Sequence, residues 1–143
     1  MTKIFQIIIA LSILSLCSCS KENVPNQIGS WEGVQFQTIT TNGTQTSESS
    51  LNMGLILEES GSGNLTGLFA TDGKIHWVVD DVENKIYIIS DITLSNGTEA
   101  TTTDKFDLIV DTADEQRWEQ TKTFQNPAGE IVEAFTRWSL LKK

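Results

Sequence analysis

From Ile28 onward the chain alternates. Leu51, Met53, Leu55 and Leu57 fill every second position of one run; Ile75, Trp77 and Val79 do so in another, and Phe106, Leu108 and Val110 in a third. A period of two puts such residues on one face of a pleated strand and their polar neighbours on the other. No useful stretch repeats apolar side chains at helical spacing. The runs are short and are separated by residues suited to tight turns: Asn42-Gly43, Gly61-Ser62-Gly63, Asp72-Gly73, Asn96-Gly97 and Asn126-Pro127-Ala128-Gly129. The strands so marked are 31–40, 49–58, 64–70, 74–80, 85–90 with a fragment at 91–94, 105–111, 115–124 and 130–140. Eight or nine strands with short connections should be antiparallel neighbours in space, and up-and-down closure hides their edges. The expected fold is therefore all-β, an antiparallel up-and-down barrel, with a β-sandwich as the alternative. One polar face per strand puts water outside, unlike a transmembrane barrel, whose outer band is apolar.

The first 18 residues follow another logic. Lys3 is a short positive region, and Ile4 to Leu16 is an apolar run interrupted only by Gln6, Ser12 and Ser15. That is the length of a signal-peptide core and too short to span a bilayer. Leu16-Cys17-Ser18-Cys19 resembles a bacterial lipobox, with a Leu three residues before a Cys and a small Ser directly before it. The expected organisation is a lipoprotein signal peptide at 1–18, an acylated (palmitate-bearing) Cys19 with a polar tether to residue 28, and a domain at 29–143. Cys17 would leave with the signal and Cys19 would carry lipid, so no thiol remains for a disulfide, a nucleophile or a metal. Several acyl chains hold a membrane well. Ser20-Lys21-Glu22-Asn23, a Lys followed by an acidic residue, resembles the signal that sends lipoproteins of Bacteroidetes-type bacteria to the cell surface. The expected location is the cell envelope, as an outer-membrane lipoprotein, periplasmic or surface-exposed.

Charge narrows the partners. Nineteen acidic and ten basic side chains give a net charge of −9. Such a chain lacks the basic footprint of a nucleic-acid binder or of a protein adsorbed on an anionic surface. A monomer is expected.

Gly29-Ser30-Trp31 opens the first strand, and Arg137-Trp138-Ser139-Leu140-Leu141-Lys142 closes the last. The first matches the Gly-x-Trp that opens the lipocalin barrel. The second supplies an Arg beside a Trp and a Trp-x-Leu-x-Lys end. From about Ile28 to Lys143 the chain resembles the small lipocalin-like lipoproteins of Bacteroidetes-type bacteria. The resemblance implies a barrel floor of Gly29, Trp31 and Arg137, with the guanidinium packed across the Trp31 ring. Thr103-Asp104-Lys105-Phe106 matches the lipocalin Thr-Asp-Tyr turn only loosely. Neither the C-terminal helix of larger lipocalins nor the helical lid of fatty-acid-binding proteins is expected.

Chemistry-bearing patterns are sparse. His76 is the only histidine and alternates away from Ile75 and Trp77, as a surface residue would. Asp80-Asp81-Glu83 and Asp111-Asp114-Glu115 form acidic loops without a calcium-loop pattern, and turn formation accounts for them. There is no nucleophile elbow, phosphate loop or dinucleotide fingerprint. Asp111-Thr112-Ala113 resembles the O-glycosylation acceptor of Bacteroidetes-type bacteria, which makes Thr112 a candidate modification site. The expected function is binding without catalysis or cofactor. A small apolar or amphipathic ligand would enter a cavity lined by Leu55, Trp77, Val79, Tyr87 (or Ile89), Phe106 and Leu108. The alternative is a structural or accessory envelope module with a filled core, meeting a protein partner through its surface.

Overall fold

Asn42 and Gly43 both take positive φ, 49° and 80°. That is the backbone of a type I′ turn, whose twist matches the strands it joins. It connects two long strands, β1 (Gly29–Thr41) and β2 (Thr44–Leu57). The computed structural model describes residues 25–67, 73–93 and 97–143. The proposed signal peptide, Cys17 and Cys19 lie outside the described residues. The remaining strands are β3 (Ser62–Thr66), β4 (Gly73–Asp80), β5 (Lys85–Thr93), β6 (Glu99–Asp111), β7 (Glu115–Gln125) and β8 (Ile131–Lys142). Each pairs antiparallel with the next, and β8 returns to β1, closing an eight-stranded up-and-down barrel.

Differences from the sequence expectation concentrate in polar segments. β2 starts at Thr44 rather than near Ser49, and β6 at Glu99 rather than near Lys105. Those extensions, Thr44 to Glu48 and Glu99 to Asp104, carry polar side chains on both faces, so no alternation marks them; pairing with β1 and β5 holds them extended. The 91–94 fragment is the upper end of β5, its first three residues lying in the strand.

The up-and-down path sorts the connections to two ends. Residues 58–61, 81–84 and 112–114 turn at one end, where β1 begins and β8 finishes. The 42–43 and 126–130 turns lie at the other. At the first end Trp31, Leu55, Leu57, Trp77, Ile86, Leu108, Trp118 and Leu140 form one buried cluster. Gln27 is buried with them, and its carbonyl accepts a hydrogen bond from Trp31 Nε1 at 2.8 Å. The segment before β1 thus plugs this end. Lys142 N–H donates to Asp114 O and Lys143 N–H to Ser30 O, both at 2.9 Å. We call it the closed end.

The outer face is wet. Lys85 pairs with Asp107 at 2.6 Å, Lys105 with Glu83 at 2.9 Å, and Lys143 with Glu32. No helix among the described residues is long and apolar enough to cross a membrane.

Two parity expectations are corrected. A β-bulge between Leu108 and Val110 places Val110 opposite Arg117 rather than in line with Leu108. Ile109 is the extra residue, and it turns the strand end over. In β5 the inward residues are Ile86 and Ile88, both buried. Tyr87 faces outward, where the Lys105 ammonium sits 5.3 Å from its ring centroid. The hydrogen bond to Glu83, with that to Tyr87, holds Lys105 above the ordinary lysine range. The Lys85 to Ser90 run is nearly all apolar, so alternation could not assign its faces.

Candidate functional site

The barrel interior divides along its axis. Near the closed end it is solid. Trp118 and Gln116 are fully buried, and the Gln116 amide joins several groups. Its Oε1 accepts from Trp118 Nε1 at 2.9 Å, while its Nε2 donates to Asp111 Oδ1 at 2.8 Å and Thr112 O at 2.7 Å. Trp77 Nε1 is shared between Glu58 O and Ser62 O at 3.0 and 3.1 Å. Each large ring brings one polar atom into the core, and each finds an acceptor there, as burial requires.

This changes the expected ligand cavity. Leu55, Trp77 and Leu108 belong to the packed cluster, and Val79 packs against its edge. Tyr87 and Ile89 lie on the outward face of β5. Of the expected lining, only Phe106 borders the open space inside the barrel above this core, while Leu55 borders a separate pocket of about 380 Å³ with Ser30, Ile56 and Thr66. Side chains fill the lower half, as they readily do in an eight-stranded barrel.

Above this core the interior opens into a cavity of about 400 Å³. Its base is apolar: Phe106, Trp138, Ile88 and Leu65. Phe106 and Trp138 are 4.8 Å apart between ring centroids, and Trp118 backs Trp138 at 5.7 Å. The rigid aromatic base thus rests on the core. Its one polar atom, Trp138 Nε1, donates to Gln35 Oε1 at 2.8 Å. Higher up the wall becomes polar. Gln37 donates to Thr136 at 3.5 Å, and Ser90 and Thr102 face each other across β5 and β6.

Among the described residues of the lining, charge enters at one place. Asp104 Oδ1, on β6, accepts from Lys122 Nζ at 2.5 Å and from Gln120 Nε2 at 3.2 Å, both on β7. These contacts cross a seam. The backbone ladder between β6 and β7 runs from Asp111–Gln116 to Asp107–Glu119 and is not continued above. Beyond it the strands are joined by side chains. Higher on β2 and β7 the inward residues Leu51 and Phe124 are exposed.

The floor assignment is also corrected. Gly29 and Trp31 sit where expected, but Arg137 does not reach Trp31. Arg137 pairs in register with Phe36, and its guanidinium lies 5.1 Å from that ring centroid on the outer face. The residue opposite Trp31 is Lys142, whose ammonium lies 4.6 Å from the indole centroid and donates to Ile28 O at 2.6 Å. Trp138 is inward, so its neighbour Arg137 must point out. Gly29 has φ 138°, and a Cβ there would come within 2.5 Å of Lys142 Nζ. Glycine thus lets the lysine fold over the barrel end.

Thr112 is exposed at the closed end, and its hydroxyl both donates to Glu115 O at 3.0 Å and accepts from Glu115 N at 2.9 Å. A glycan would remove the first bond and leave the second. His76 is exposed on the outer face of β4. Asp80 Oδ1 caps Val82 and Glu83 N–H groups at 3.0 Å, so its loop is a turn held by its own carboxylate. No cluster of three or more metal-ligating side chains occurs among the described residues.

Sequence reasoning missed Gln35, Asp104, Gln120 and Lys122. Parity could have found them. Asp104 continues the inward series of Phe106 and Leu108, and Gln120 and Lys122 continue that of Trp118. Comparison with protein-family models, with characterised proteins and with solved structures returned no match.

Proposed function

We propose that this protein is a membrane-anchored, lipocalin-like lipoprotein that binds a small apolar or amphipathic ligand in the open half of its barrel, without catalysis. The observation that carries the reading is the cavity of about 400 Å³ over the Phe106–Trp138 base. A concave apolar site with a few convergent polar groups is the usual form of a small-molecule site, and this volume is at the small end of the range. The Gly29, Trp31 and Lys142 floor supports the lipocalin likeness, with lysine in the place expected of Arg137.

In this reading Cys19 is the anchor. The domain begins at the closed end, so the lipid hangs from that end and the mouth opens away from the membrane. Thr112, if glycosylated, would carry its sugar on the membrane-proximal side. The cell-envelope location follows from the lipobox, and the surface-exposed form of it from Lys21-Glu22. The second reading, an accessory module with a filled core, is favoured by the packed closed half.

The test uses the neutral dye N-phenyl-1-naphthylamine, with tryptophan excitation. Bound above Trp138, the dye should show energy transfer from the indoles and saturate at one site per chain. Absence of saturable transfer would favour the accessory module. For the anchor, Cys19→Ala should move the protein out of the membrane fraction; full retention there would refute the lipobox assignment.

A further inference from the structure

The carrier reading leaves open which head group the mouth accepts, and the charges answer that. We infer that the cavity selects an amphiphile with a neutral, hydroxyl- or amide-bearing head, and discriminates against free fatty acids. This rests on the carrier reading and sharpens it.

Among the described residues the cavity lining carries one anion and one cation, Asp104 and Lys122, and they are spent on each other. Lys122 Nζ lies 2.5 Å from Asp104 Oδ1. The same oxygen also accepts from Gln120. A ligand carboxylate arriving at the mouth would meet Lys122 already neutralised, with the Asp104 charge beside it. It must displace Asp104 or sit near a like charge, and either costs affinity. A cationic head meets the mirror-image problem, since Asp104 is already bound by β7. A neutral head faces neither cost.

The rest of the mouth suits such a head. The Gln37 and Gln120 amides and the Ser90 and Thr102 hydroxyls ring the level at which the ion pair sits. Amides and hydroxyls both donate and accept, which matches an alcohol, a sugar or an amide. Above Asp107 and Glu119 the register between β6 and β7 is not continued, and Asp104, Gln120 and Lys122 join the two strands through side chains. The tail would rest on Phe106 and Trp138.

The test uses the full chain in nanodiscs and three probes sharing an eight-carbon tail: octyl glucoside, octanoate and octyltrimethylammonium. Binding is measured by equilibrium dialysis, with partition into empty nanodiscs subtracted. Octyl glucoside should bind the wild type about tenfold more tightly than either ion, the scale of an unmatched charge in a hydrogen-bonded site. Asp104→Asn frees Lys122 and should raise octanoate affinity about tenfold. Lys122→Gln frees Asp104 and should favour octyltrimethylammonium instead. The neutral-head inference is overturned if octanoate matches octyl glucoside on the wild type, or if neither variant changes the order of the ions. If none of the probes binds, the carrier reading falls with it.

Discussion

The two halves of this barrel are built from the same eight strands and obey opposite rules. In the closed half the inward side chains are large, apolar and in mutual contact, and every indole N–H has a partner inside. In the open half Gln, Thr, Ser, Asp and Lys share the lining with Leu51 and Ala134 around an aromatic base. The closed half holds the fold and the open half is free to be specific. A polar lining adds little to stability, and in the proposed function it serves ligand choice.

Substitutions in the two halves should separate these roles. The largest effect is expected from Trp118→Ala, which empties the centre of the closed half. It should cost about 3–5 kcal/mol in urea unfolding. Thr136→Ala, in the buried wall bordering the cavity, removes only the acceptor of the Gln37 amide and should cost about 1 kcal/mol. Equal losses would erase the distinction. Next comes the polar hub: Gln116→Ala leaves Trp118 Nε1 buried without its acceptor and should cost about 1–3 kcal/mol by the same measurement.

A smaller effect sharpens the account of the barrel end. Lys142→Met removes the cation over Trp31 and the bond to Ile28 O, for an expected loss of about 1–2 kcal/mol. Arg137→Met removes only a half-buried contact with Phe36 on the outer face and should cost about 0.5 kcal/mol in thermal unfolding. The reverse order would restore Arg137 as the floor cation. Smallest of all should be Asp104→Asn. Its ion pair with Lys122 is partly exposed, and such pairs contribute about 0–1 kcal/mol. Its effect should appear in ligand choice rather than in stability.

The same division explains how much was legible in the sequence. Alternation identified Leu51 to Leu57 and Ile75 to Val79 because apolar and polar positions differ where one face is sealed. Gly-x-Trp marked the correct strand and end. The pattern was silent where both faces are wet, so the upper parts of β2 and β6 were missed, and with them the height of the cavity wall. It was ambiguous where both faces are apolar, which put Tyr87 in the lining instead of Ile88. The bulge at Ile109 was invisible because one inserted residue inverts parity without any change of composition. Placing Arg137 over Trp31 failed on register: Arg137 stands five residues before Lys142, far up the strand from the barrel end. The cavity was expected among the largest apolar side chains, but those pack against one another. Open space lies where the inward positions turn polar.

The central claim, that the open half is a binding site over a sealed core, is tested most directly with Ala134→Trp. Ala134 lines the cavity wall, and a Trp there would occupy the space above Trp138 without entering the closed half. The variant should lose saturable N-phenyl-1-naphthylamine binding while its urea midpoint stays within the error of the wild type. Undiminished dye binding by a folded Ala134→Trp protein would contradict the account.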